Sequence, residues 1–519
     1  MRRFDRGITP WALGFCALLG GCGATWPAVI DPSDIADLRE ARPHISRVRD
    51  LGAVHIGQAG PLLAESDGQF AIGEMVLIEG SGFGKQPTLT IGGRPAEVRW
   101  RTQGGGIVTQ IPAGSAVGAQ TVSVQSGGGQ AAMPLQLSRL AVLLDGRRGQ
   151  LQALRVARGG ATPTAEAVGS PLTIPGAQAL ALSYDGAAAY VLLQGAPQAA
   201  SSVAIVDLVA PGGPRIAETR QLRHPAQLLV AAERAGVLAM IGTESAQLTL
   251  WDIREARRPA PWQPAALPAS VKQARAAALH PDGQLLALAL PEDNQIVVLD
   301  VKPGLTAVVP RQVAALSALP GMRQPLVHAH GLRFSSDGST LWLSSGDNAD
   351  SQAAGHQPTR ITAMELKLPE AGLGSGAEAG LEVLKTLDLR DAGAPLSLAL
   401  ARTPPVSAGT AIRTPPEKAT VFLTTTKSAS SSASAAGLWR SDLQGHITPL
   451  YSGKELLAGL DVSPDAKLAV TARVGSGAAG RSLAVTDLET SADVKVPLGA
   501  SDESDLAAPF DRLQLLLQP

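Results

Sequence analysis

The sequence predicts an all-β chain of two bodies, a small β-sandwich followed by a seven-bladed β-propeller that the C-terminal strand closes. Three observations predict it. Six short apolar runs end abruptly on an acid, at Asp207, Asp252, Asp300, Glu365, Asp442 and Asp487. Each reads as a strand by its Val, Ile, Leu and Thr content. Their steps of 45, 48, 65, 77 and 45 residues describe a repeat of roughly 45 residues with insertions in two copies. Upstream of most lies a pair of alternating apolar runs around an Asp-Gly turn, at Asp185, Asp282 and Asp337, with Asp465-Ala466 as a weaker copy. Asp-Gly between such runs is a strong hairpin signal, since both central residues can accept a positive φ.

The third observation concerns closure. A seventh, incomplete copy occupies residues 139 to 156, with Arg155 where the acid should stand and no innermost strand. The last apolar run, FDRLQLLL at 510 to 517, is placed to supply that strand and finish the ring. An unclosed ring would leave an unpaired sheet edge. Through these hairpins and V-x-x-x-D-L strands, residues 138–519 resemble the broad YVTN and WD40-like seven-bladed propellers. The resemblance is specific for fold and silent on activity. It departs from true WD40 repeats, since only Trp251-Asp252 forms the WD dipeptide and no Gly-His partner recurs.

Residues 50–137 follow a different grammar of short alternating strands ending on Gly or Pro, that of a small sandwich. Gly73, Val76, Ile78, Gly80, Phe83, Gly92, Gly93, Ala96, Pro112, Gly118, Val122 and Val124 fit the spacing of the IPT/TIG family, which this stretch resembles. The resemblance implies an immunoglobulin-like (Ig-like) domain that mostly acts as spacer or adhesion module, some members binding sugar or DNA, and the sequence does not select among these. The glycines are expected at positive-φ turns, and Phe83 in the core.

At the start of the chain, Arg2, Arg3 and Arg6 precede the apolar stretch WALGFCALLGG, and small residues precede Cys22. This is the pattern of a secretory signal over residues 1–21. Leu19-Gly20-Gly21-Cys22 looks like a bacterial lipobox, which implies a covalent lipid on Cys22. The only cysteines are Cys16 and Cys22, so the body after Cys22 carries no thiol. Acyl chains anchor firmly because each buried CH₂ contributes about 0.8 kcal/mol. Gly23 follows in place of the Asp that retains such proteins at the inner membrane, which points to the outer membrane, facing the periplasm or the cell surface. Residues 22–49 form a tether in which Ile35 to Arg42 is expected as a short helix that Pro43 ends.

Composition narrows the partners. Removing residues 1–21 leaves 41 basic against 44 acidic residues, so there is no basic field for nucleic acid. No run of eighteen apolar residues predicts a membrane-spanning helix.

Catalytic signatures are absent: no Cys nucleophile, G-x-S-x-G elbow, P-loop or H-E-x-x-H occurs. One constellation resembles chemistry. His328, His330, Asp347 and His356 combine a His-x-His strand pair, expected to point both rings to one face, with a carboxylate, a set able to hold a divalent metal. No other cofactor is implied. Four long segments, 194–201, 345–358, 427–437 and 474–480, join second to third strands and are expected to share one face as the binding surface. Residues 401–419 would hang from the opposite face. The sequence therefore favours a membrane-anchored, non-catalytic scaffold for an envelope protein or polysaccharide. The alternative is a propeller enzyme, a lactonase-like hydrolase or metal-dependent oxidoreductase, with its site at the channel mouth.

Overall fold

The computed structural model describes residues 42–52, 68–159, 162–195, 199–210, 212–232, 235–254, 259–261, 264–272, 274–301, 308, 310–315, 326–335, 338–347, 360–367, 380–388, 395–400, 420–425, 436–442, 446–453, 455–464, 466–474, 481–499 and 513–518. Most are strand; the described residues include no α-helix and a single 3-10 turn, Ala269–Val271. The expected helix over residues 35–42 and the signal with Cys22 lie outside them, save Arg42.

Seven antiparallel sheets make the propeller. Six begin at Ala177, Leu228, Ala276, Leu326, Pro395 and Leu456 and are numbered here as blades 2 to 7. Blade 1 is composite. Its second, third and fourth strands come from residues 139–145, 150–159 and 162–173, and its innermost strand is Leu513–Leu517. The register Leu513↔Asp145 to Leu517↔Ala141 closes the ring with the chain's far end. The second strands Ala188–Leu193 and Leu285–Leu290 are buried on both faces, because each blade packs against two neighbours. This is why those strands read as continuous apolar runs. The layers between blades are aliphatic. Leu140, Val142 and Leu144 of blade 1 pack on Ala189, Val191, Ala204 and Val206 of blade 2, while Ala141 and Leu143 face Val470, Leu483 and Val485 of blade 7. Trp251 is buried between blades 2 and 3.

Three of the recurrent acids, Asp207, Asp252 and Asp487, serve as turn caps at the end of third strands. Asp207 accepts from the Val209 amide at 3.2 Å, Asp252 from Arg254 at 3.0 Å, and Asp487 from Glu489 and Thr490 at 2.9 and 2.8 Å. A carboxylate bonded to the backbone two residues on fixes the turn that starts the outer strand.

The Asp-Gly hairpins differ from expectation. Positive φ occurs only at the fourth turn position, Gly186, Gly283, Gly338 and Ala466, and not at the preceding Asp185 or Asp282. The amide of that residue donates to the carbonyl of Ser183, His280, Ser335 or Ser463. The reason lies in the first side chain. The Ser183 hydroxyl donates to Asp185 at 2.6 Å and accepts from the Ala188 amide at 2.9 Å, and Asp185 accepts from the Ala187 amide. Those bonds hold a four-residue turn with one left-handed position instead of a two-residue turn with two.

The sandwich has one sheet of His44–Gly52, Met75–Ser81, Ile107–Gln110 and Val98–Arg101. The other includes Thr88–Ile91, Gly118–Ser126 and the first half of Gly129–Asp145. Val76, Ile78, Phe83, Leu89, Ile91, Val122 and Val124 form its core. The strand His44–Gly52 lies mostly in the stretch expected as tether, so pairing begins ahead of residue 50. Gly73, Gly92, Gly93 and Gly118 have positive φ, as expected. Gly80 does not. A Cβ there would lie 2.0 Å from the His44 carbonyl, so this glycine permits close strand approach and makes no turn.

The two bodies share a strand. Gly129–Leu137 pairs within the sandwich and Arg139–Asp145 within blade 1, a single run of 17 residues. Gln518, fully buried, locks the junction. Its Oε1 accepts from the Leu140 amide at 2.7 Å, and its Nε2 donates to Ile72 of the sandwich at 3.1 Å and Gly186 of blade 2 at 2.6 Å. Its own carbonyl accepts from the buried Arg139, whose other arm donates to Ser115 at 2.9 Å. Gln110 of the sandwich adds a bond to Asp185 of blade 2 at 3.1 Å.

Candidate functional site

Strand direction sorts the loops onto two faces. Second strands run from the hairpin turns toward the face where Asp145, Leu193, Asp347, Thr425 and Val474 end. Third strands return from Ser202, Arg360, Ala436 and Arg481. Segments 194–201, 345–358, 427–437 and 474–480 join these ends, so both ends of each belong to one face. Their interiors lie largely outside the described residues, and 401–419 wholly so.

The metal candidates fall in blade 5. Leu326 of the innermost strand pairs with Asp347 of the second, bringing positions 328, 330 and 347 to the loop-bearing end of the blade. The register shifts between Val327 and Ala329 and again between Ala329 and Gly331, so both histidines sit at irregularities that break the simple alternation expected for His-x-His. The side chains of His328, His330 and Asp347, and all of His356, lie outside the described residues. Among the described residues no group of three His, Cys, Asp or Glu could hold a metal.

At the opposite, hairpin end of the channel, a cavity of about 270 Å³ is walled by inner strands, with Leu180, Leu229, Leu332 and Leu516 on its sides. Its polar element is a pair across the channel, Asp461 of blade 7 and Arg333 of blade 5, at 3.4 Å. Asp461 is buried and also accepts from the Val462 amide at 3.0 Å. Tyr184 at the rim donates to the Arg254 carbonyl at 3.2 Å, and burial raises its hydroxyl pKa.

Carboxyls with shifted pKa lie elsewhere and have structural causes. The Arg220 guanidinium lowers Glu218, and Arg254 lowers Asp252. Burial would raise Glu455 and Asp487, but other contacts outweigh it. Lys495 and Tyr451 bring Glu455 down, while the Thr490 and Glu489 amides and Arg158 bring Asp487 down. Asp252 and Asp487 cap turns, Glu455 joins blades 6 and 7 through Tyr451, and Glu218 pairs within its own strand. Arg158 of blade 1 reaches Asp487 of blade 7 at 2.7 Å, and Arg481 of blade 7 returns to Asp145 of blade 1 at 2.5 Å, so the closing seam carries an ion pair at each end. Arg473, fully buried, forks onto Asp493 at 2.8 Å through both arms and lies 3.8 Å over the Tyr451 ring of blade 6. Sequence reasoning missed these arginines. Their one signal is an arginine inside or at the edge of an apolar strand, as in LAVTARV.

The sandwich core and its positive-φ glycines coincide with a known family. Residues 65–138 match the IPT/TIG domain. No curated protein matches the chain. Among solved structures, the chain is similar to a provisionally assigned 6-phosphogluconolactonase of Bacteroides uniformis, at 13% identity and TM-score 0.44, covering 73% of this chain and 99% of that one. It is also similar to the Swd1 β-propeller domain of Myceliophteria thermophila, at 14% identity and TM-score 0.42, covering 70% of this chain and 98% of that one. These likenesses are of fold alone. The IPT/TIG domain of this chain therefore precedes a propeller and is joined to it through the shared strand.

Proposed function

We propose that this chain is an outer-membrane lipoprotein, anchored by lipid on Cys22, whose body is a non-catalytic platform for an envelope protein or polysaccharide. The observation that supports it most is where the chain enters. Pro43 lies against Gly129, at the tip of the IPT/TIG domain, while the same strand ends at Asp145 on the loop-bearing face. At about 3.3 Å per residue the strand spans about 50 Å. A chain held at Cys22 thus has its IPT/TIG domain nearest the membrane and segments 194–201, 345–358, 427–437 and 474–480 turned away from it. The sequence pattern before Cys22 supports the anchor.

Two measurements test it. Palmitate labelling and membrane fractionation of the Cys22→Ala chain should show loss of label and release from the outer membrane; an unchanged fraction would refute the anchor. A photocrosslinking residue at 199 or 476 should trap a discrete envelope partner that the same residue at Gln130 does not. Equal or absent adducts would refute the loop face.

A further inference from the structure

The platform reading leaves the hairpin end of the channel unused. The cavity there is walled by the innermost strands of blades 1, 2, 3, 4, 5 and 7, which contribute Leu516, Leu180, Leu229, Leu279, Leu332 and Asp461 in that order. Leu332 and Leu516, like Leu182 beside them, are only half-buried, so apolar surface is left for a ligand to cover. Because ring closure fixes the strands that carry these walls, the site is preformed.

Among the described residues lining the cavity, Arg333 and Asp461 are the only charged groups, and they cancel. Such a pair adds little to folding, since two well-packed apolar side chains of like volume often serve as well or better. Its presence in an aliphatic channel therefore points to recognition, and the signs narrow what is recognised. A lone carboxylate drawn to Arg333 meets Asp461 beside it; a lone ammonium drawn to Asp461 meets Arg333. With the two protein charges 3.4 Å apart, any ligand charge lies close to both, so the pair is answered by a ligand that carries both signs on neighbouring atoms. A guanidinium has several N–H donors and a carboxylate several lone pairs, enough to serve each other and a ligand together. Apolar walls with a few convergent polar groups are the usual make-up of a small-molecule site.

We infer that this cavity binds a small zwitterion, an α-amino acid with an aliphatic side chain. Its carboxylate lies on Arg333, its ammonium on Asp461 and its side chain on Leu180, Leu229 and Leu516. The site is separate from the loop-bearing face, which lies at the other end of the channel, and stands or falls without it. The test is calorimetric titration of the full chain carrying Cys22→Ala with leucine, glycine and two singly charged analogues of leucine, isocaproate and isoamylamine. Leucine should bind saturably below about 10 mM. Glycine should bind at least about tenfold more weakly, for want of a side chain to bury, and each analogue about tenfold more weakly, for want of one charge. Arg333→Gln and Asp461→Asn should each weaken leucine about tenfold at an unchanged melting temperature. If either variant melts early, the ligand series on the unsubstituted cavity decides. No saturable leucine binding, binding that glycine or either analogue matches, or binding that both variants leave intact overturns the inference.

Discussion

Replacing Gln518 with alanine removes one acceptor and two donors from a buried junction, stranding the Leu140 amide and the Ile72 and Gly186 carbonyls together. Each stranded buried group costs about 1–3 kcal/mol, and partial relaxation should bring the total to about 2–4 kcal/mol. Denaturant unfolding of Gln518→Ala should show that loss; a variant within error of the parent would contradict the junction. Ala466 poses the opposite case. Its φ of 54° occupies the position that glycine fills at Gly186, Gly283 and Gly338. Left-handed backbone costs a non-glycine residue about 1–2 kcal/mol, so Ala466→Gly should raise the melting temperature despite the lost methyl. Asp487 predicts a pH dependence. Its carboxyl is held below the ordinary range, so its contribution is present above the unfolded value near 4 and lost as pH falls through the lower folded value. The stability gap between parent and Asp487→Asn, measured by denaturant, should therefore be widest near neutrality and close in acid. A gap that widens in acid would contradict the capping role.

At the scale of the element, the third strands with their acids, the hairpins and the closing strand were legible, because burial on both faces and turn chemistry leave local marks in the sequence. The type of the Asp-Gly turn was not, since the Ser183 hydroxyl decides it through bonds to Asp185 and Ala188. The close strand approach at Gly80 was not, since the atom that excludes a side chain belongs to His44, distant in sequence. Gln518, Arg139 and the seam ion pairs were illegible for the same reason: their partners lie up to 446 residues away. For Gly80→Ala, a Cβ 2.0 Å from a backbone carbonyl must push the edge strand His44–Gly52 aside. Overpacking of this kind costs about 1–3 kcal/mol. Hydrogen exchange should show the loss first in that strand and its partner Met75–Ser81, and uniform protection would contradict it.

For the whole molecule, ring closure and domain docking are one event, because the strand Leu513–Leu517 that ends the ring delivers Gln518 to the IPT/TIG domain. The shared strand makes the sandwich a rigid extension of blade 1, so the loop-bearing face keeps a fixed height above the tip where the chain enters. A body without thiols after Cys22 lets this be measured cleanly. Spin labels at Gln130→Cys and Arg147→Cys in the full chain carrying Cys16→Ala and Cys22→Ala should give, by pulsed electron resonance, one narrow distance near 50 Å, the reach of an extended strand at about 3.3 Å per residue. A broad distribution would show two bodies moving independently and would contradict the rigid platform; one narrow distance well short of about 50 Å would contradict the straight shared strand.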